Sequence, residues 1–341
     1  MKTIEITPPY LIFLGTETKK HLAKTGAGLV EWRPELCKGQ LSLIDNGVSL
    51  GLPDMTLQQA VDAGIKTVLI GTATVGGSIP DSWLDALEEA ALLGLDIVAG
   101  VHTKLGDIPR LKAAAEKSGS KLIDVRVPPA KIPVGNGKKR TGKRVLMVGT
   151  DCAVGKKYSA LAMERDMKAM GMNADFRASG QTGIMIAGEG IPIDSVVSDF
   201  VSGAAELLSP DNTPDHWDVI EGQGGIFHPG FGAVTFGLLV GSQPDAFVVC
   251  LEAGRTHVAG WEDDYELPSI EDVIDRTIAI GSLTNPAIRC VGISVNTANI
   301  PEAERKAYLE EIEKRVGLPT VDPLKGGTQR IIERLKAEFP A

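Results

Sequence analysis

Short β-branched runs alternate with segments of helical period along most of the chain. In the first third, TVLIG (67–71) precedes DSWLDALEEAALLG (81–94), whose apolar positions recur at helical spacing behind Asp81 as a cap. DIVAGV (96–101), the helix-like IPRLKAAAEKSG (108–119) and KLIDVRV (121–127) continue the series. Such alternation predicts a parallel sheet covered by helices. Residues 1–127 are therefore expected to form a Rossmann-like α/β domain. PPAKIPVGNGKKRTGKR (128–144) breaks the pattern, with abundant Pro and Gly, six Lys or Arg and little apolar content. It places a linker at 128–143. Its charge reads either as a solvated linker or as a positive rim beside the loop that follows.

A second α/β pattern is expected over 144–341. RVLMVG is its first strand and GKKYSALAMERDMKAMG (155–171) the following helix, with Met163, Met167 and Met170 on one face as core packing. WDVIEG (217–222), DAFVVCLE (245–252) and RCVGISVN (289–296) read as later strands, and helices at 301–316 and 328–338 close the pattern.

Composition narrows the function. Aromatic residues make up 5% and the net charge is −9, which leaves little for stacking on single strands or for tracking phosphate backbones. No nucleic-acid partner is expected. No apolar run approaches the length of a membrane span, and the N-terminal apolar stretch is too short for a signal peptide. The four cysteines, Cys37, Cys152, Cys250 and Cys290, form no CxxC pair. They suit reduced thiols in a cytoplasmic protein and give no metal site by spacing.

The candidate chemistry starts at GTDCAVGKK. A Gly-rich turn between a buried strand and a helix aims successive backbone N–H groups, backed by the helix dipole, at one anion. Gly149, Thr150, Asp151, Cys152, Ala153, Val154, Gly155, Lys156 and Lys157 are the candidate cofactor-binding residues. The common pattern is G-x4-G-K-[ST], whose hydroxyl ligates magnesium. Here the pattern is G-x5-G-K-K, and Lys157 cannot ligate a cation. The loop closely resembles that of dethiobiotin synthetases, which run GTD, two variable residues, VGK and Thr. WDVIEGQGGIFHPG (217–230) resembles the EGAGG segment of the same superfamily, and SVN (294–296) with VDPLKGG (321–327) resembles its base-reading segments.

Other polar residues fall just after expected strands, where ligands bind open α/β sheets. FRASGQTG carries Arg177 and Gln181, and LEAGRTHVAGW carries Arg255 and His257. Asn296 is either a base reader or an ordinary strand-end turn residue. LVEWRPE with Arg33, and GTATVGGSIP with its Gly76–Gly77 turn, are candidates in the first domain, with connecting loops as the plainer alternative.

Taken in order, GTDCAVGKKYSALAMERDMKAMG, FRASGQTGIMIAGEG, EGQGGIFHPGF and LEAGRTHVAGW resemble one family of two-domain proteins, formerly of unknown function. At least one branch is a D-glutamate N-acetyltransferase using acetyl-CoA. The resemblance implies a Rossmann-like domain followed by a P-loop domain. It also implies a homo-oligomer acting on a small molecule, with acetyl-CoA as co-substrate and no metal. Chemistry and position then nominate Glu221, His228 and His257 as catalytic residues, with Glu221 or His228 as base. Arg177, Gln181 and Arg255 are nominated for the acidic substrate, and Asn296 for the cofactor. The alternative is an ATP- and magnesium-dependent ligase or kinase resembling dethiobiotin synthetase.

Overall fold

A computed structural model of the protein describes residues 4–72, 77–261 and 263–340. Gly76 of the expected Gly76–Gly77 turn lies outside these residues. The chain forms two compact units: one runs up to Pro129 and includes Gln181–Ser195, the other comprises Ala130–Gly180 and Val196 onward.

The first unit carries five parallel strands in the order Cys37–Ser42, Tyr10–Gly15, Thr67–Ile70, Asp96–Ala99 and Leu122–Asp124. All six residues of Tyr10–Gly15 are buried, as a central strand covered on both faces requires. Phe13 meets Trp83 edge to face at 5.3 Å between centroids. The segment 181–195 joins this unit through the strand Glu189–Gly190, which pairs antiparallel with Ile4–Glu5. Arg33 Nε donates to the carbonyl of Ile186 at 3.2 Å, so this arginine packs within its own unit.

The second unit holds six parallel strands in the order Thr320–Val321, Arg289–Asn296, Ala246–Glu252, Lys143–Gly149, Trp217–Ile220 and Ala174–Arg177. Lys143–Gly149 comes first in the chain and lies in the middle of the sheet. The next two strands in the chain lie on one side of it, Ala174–Arg177 at the edge and Trp217–Ile220 between. The last three build outward on the other, which makes its carboxyl end a topological switch point. The long helix Lys156–Ala169 follows, with Met163 and Met167 fully buried and Met170 packed against the same core. Among the described residues no helix is long and apolar enough to cross a membrane.

Candidate functional site

Gly149 ends the central strand, and the chain then turns through Ala153 (φ 55°) and Gly155 (φ 105°) before the helix begins at Lys156. The helix start has no side-chain cap and no acidic residue in its first turn. Its amides therefore face outward with the positive dipole end behind them, an arrangement that favours an anion. Thr150 is buried in the loop and its Oγ1 has no hydrogen-bond partner among the described residues. An unsatisfied buried hydroxyl fits a group that an incoming phosphate oxygen would complete.

The two lysines differ. Lys156 is buried, with Nζ donating to the carbonyl of Asp151 at 2.7 Å, and burial pushes its ammonium pKa down. Lys157 sets its ammonium over the Tyr158 ring at 4.4 Å.

Glu221 follows Trp217–Ile220, the strand beside the loop strand, and only 5% of its surface is exposed. The next residue must be glycine: a Cβ at Gly222 would lie 1.6 Å from the carbonyl oxygen of Met147. The backbone amides of Ser179 and Gly180 donate to Glu221 Oε2 at 3.0 and 3.1 Å. The Ser179 hydroxyl donates to the Glu221 carbonyl at 2.6 Å and receives Gln223 Nε2 at 3.0 Å. No hydrogen bond among the described residues reaches Oε1. Burial pushes the Glu221 pKa up to about 7, against the pull of Lys157, the two amides and Lys156. A carboxyl at that value accepts a proton efficiently near neutral pH.

Asp151 anchors the loop from below, fully buried. Its Oδ1 accepts from the amide of Cys152 at 2.6 Å, and Oδ2 accepts from Arg255 Nη1 at 3.0 Å and the amide of Ala259 at 2.8 Å. Arg255 also donates to the Cys152 carbonyl at 2.9 Å and pairs with Glu252. The guanidinium expected to hold a substrate carboxylate is thus engaged by the protein's own.

His228 is buried between Phe231 and Trp261, with ring centroids at 4.6 and 5.0 Å. Its Nδ1 accepts from the amides of Gly230 and Phe231 at 3.0 and 3.1 Å, so Nε2 carries the proton, facing Asp151 Oδ1 at 3.8 Å. In this state the ring presents a donor, not a base. Asp151, Cys152 and His228 bring donor atoms within 4.8 Å of one another. Each is engaged within the protein: the carboxylate accepts three N–H groups, the imidazole offers N–H, and burial pushes the Cys152 thiol pKa up.

Arg177 turns away from this cluster. Parallel pairing sets it opposite Ile220, and its side chain runs back along the sheet to bond Asp218 at 2.6 Å. Asp218 is 1% exposed, so the pair is structural. Arg177→Ala is expected to cost about 2 kcal/mol of stability and to leave ligand affinities unchanged. Unfolding curves beside titrations check this, and a weakened ligand at unchanged stability would return Arg177 to the site. Gln181 bonds Asp194 at 2.9 Å within the first unit. His257 is half-buried on the loop after Ala246–Glu252, with Nδ1 2.9 Å from Thr256 Oγ1. Asn296 lies beside Gly155, and its Oδ1 accepts the amide of Ala298 at 3.1 Å.

The basic stretch also has internal partners. Lys139 bonds Asp245 at 2.8 Å, Arg140 bonds the Ser209 carbonyl at 2.7 Å, and fully buried Arg144 bonds the carbonyls of Thr141 and Pro210 at 3.0 Å. These groups gather at the amino end of Lys143–Gly149, about 20 Å from the loop at ~3.3 Å per residue. The positive-rim expectation fails for them.

Ser179 and Gly180, between Arg177 and Gln181, reach Glu221 through backbone amides, which side-chain chemistry does not reveal. Their position in a Gly-containing turn after a strand was the available signal.

Residues 133–332 match the family model described as "Domain of unknown function (DUF1611_C) P-loop domain", and residues 37–128 match "Domain of unknown function (DUF1611_N) Rossmann-like domain". The chain is 48% identical over 332 residues to a Tritonibacter scottomollicae protein named D-glutamate N-acetyltransferase, covering 97% of this chain and 99% of the relative. A Pseudoalteromonas protein of the same name is 45% identical over 332 residues, covering 97% and 100%. The fold is similar to the crystal structure of a DUF1611 family protein from Anabaena variabilis, with TM-score 0.82, 31% identity and coverage of 97% and 99%.

Proposed function

We propose that this chain, which belongs to the DUF1611 family, is an N-acetyltransferase carrying the acetyl group of acetyl-CoA to the amino group of D-glutamate. The two full-length relatives are named for that activity. The observation that carries the reading within the site is Glu221: a buried carboxyl poised near pH 7 beside a loop with two lysines. The loop holds the CoA phosphates, with the helix-start amides, Lys156 and Lys157 supplying the positive field and Thr150 a hydroxyl. Phosphates used as a handle need cationic cradling and no hydrolysis, so a lysine at 157 suits this task where a magnesium-binding hydroxyl does not.

Glu221 Oε1 takes the proton from the acceptor ammonium, leaving a neutral amine. The N–C bond then forms as the C–S bond of the thioester breaks. The nitrogen sheds a second proton as it becomes an amide, so that one of the two protons passes to the departing thiolate and the other leaves to solvent. Ser179 and Gly180 hold the other carboxyl oxygen and so fix the direction from which Oε1 approaches. The amides of the Gln223–Gly225 turn are the donors proposed for the carbonyl oxygen as charge develops there. His228 and Arg255 act through Asp151, keeping the loop in shape.

The ligase or kinase alternative predicts magnesium-dependent ADP formation. Incubation with acetyl-CoA and D-glutamate, following free thiol, tests the transferase reading directly; no thiol release with any acidic amino acid would overturn it. CoA at 100 times its Kd is expected to stabilise the protein by about 2.7 kcal/mol, with no matching shift from ATP and magnesium. Lys157→Thr is expected to weaken the CoA shift without creating ADP formation. Emergence of ADP in that variant would favour the alternative.

A further inference from the structure

Beside the phosphate loop, within the second unit, lies a cavity of about 460 Å³ whose wall includes Thr150, His257, Glu266, Tyr308 and Glu311. Tyr308 and Glu311 belong to the helix Glu302–Val316, and Glu266 to the loop following Ala246–Glu252. Three observations give the cavity a chemistry. Thr150 carries the buried, unpartnered hydroxyl, and it is part of the phosphate loop itself. Glu266 and Glu311 are carboxylates with no hydrogen bond or ion pair among the described residues. Tyr308 and the aliphatic Leu267 and Ile312 supply flat and apolar wall.

We propose that this cavity takes the adenosine end of CoA, an inference that rests on the loop holding CoA phosphates. An aromatic ring between apolar surfaces fits Tyr308, Leu267 and Ile312. A base with an exocyclic amine offers N–H donors to Glu266 or Glu311, both acceptor-only when ionised. Arg255 and Arg315 also line the wall, but each is already paired, Arg255 with Asp151 and Glu252 and Arg315 with Glu271. The acceptor amino acid is disfavoured because its two carboxylates would meet the unpaired Glu266 and Glu311. Position agrees. The cavity adjoins the Ala246–Glu252 side of the loop strand, whereas Glu221 ends the strand on the opposite side. A CoA molecule anchored at the loop would thus have its nucleoside on one side and its thioester toward the base on the other. The 460 Å³ volume lies within the usual range for sites of small organic ligands.

The test compares CoA with 4′-phosphopantetheine, which keeps one phosphate but lacks the adenosine and the other two phosphates, by titration of the full chain. The readout is the change each variant makes in each ligand's own Kd. Tyr308→Ala is expected to raise the Kd for CoA about tenfold, the scale of one lost base stack. Glu311→Gln, at an exposed position that folding tolerates, is expected to raise it severalfold. Neither is expected to change the Kd for 4′-phosphopantetheine. Unchanged CoA binding in both variants, or equal loss of both ligands, would overturn the assignment. A rise confined to the KM for D-glutamate would assign the cavity to the acceptor instead. Absence of CoA binding by the unaltered chain would overturn the phosphate-loop reading beneath it, an outcome distinct from the others.

Discussion

Glu221→Gln is expected to lower kcat for acetyl transfer by about a thousandfold, within the 10²–10⁴ range of a general base, while CoA still stabilises the protein. Glutamine keeps the shape and can still accept from Ser179 and Gly180, so binding survives and proton acceptance does not. In the unaltered enzyme the active form is the carboxylate, and its pKa is pushed up to about 7. The rate should therefore rise with pH and reach half its plateau near pH 7. Residual activity of the variant should lack that limb. A pH–rate profile with an unchanged limb in Glu221→Gln would assign the base elsewhere.

The same carboxyl predicts an opposite trend in stability. Its folded pKa, about 7, lies above its ordinary value of 4.5, so the folded state holds the proton more tightly. Stability is greatest below pH 4.5 on this account and falls as pH rises through 7, by on the order of 3 kcal/mol in total. Glu221→Gln escapes that loss. The variant should melt above the parent at pH 8 and converge with it near pH 4, so the substitution that removes turnover should add stability where the enzyme works.

The second large effect concerns Asp151. Asp151→Ala removes the acceptor for two amides and for Arg255, leaving a guanidinium half-committed in a buried setting. The expected cost is about 3 kcal/mol, the low end for breaking a buried ionic pair whose cation keeps other partners. Arg255 retains Glu252 and the Cys152 carbonyl. The loop should also lose its response to CoA. Arg255→Ala should be destabilising too, and the double variant less so than the sum, because both remove one interaction. Strict additivity in denaturant unfolding would show that Asp151 and Arg255 do not act together.

Parallel strands buried on both faces read as continuous apolar runs, so RVLMVG, DAFVVCLE and RCVGISVN were legible at once, and the phosphate loop was legible from its glycine spacing. Whether a strand-end arginine faces a ligand was not legible. Arg177 and Arg255 sit where ligands bind such sheets, yet Arg177 finds Asp218 through pairing register, and Arg255 finds Asp151 across 104 positions. Ser179 and Gly180 act through backbone amides, which leave no mark in side-chain chemistry. QTGIMIA forms the helix Gln181–Ala187, and a local pattern does not say which of the two units it will join.

That last point has a consequence for heredity. The chain leaves the P-loop unit after Gly180, spends Gln181–Ser195 in the Rossmann-like unit, and returns. Ile184 and Ile186 are completely covered there. A gene severed between residues 128 and 143 would yield one product stripped of that covering and another bearing it with nowhere to lay it down. The two halves are therefore expected to fail as separately expressed chains, where modules joined by a simple tether would fold.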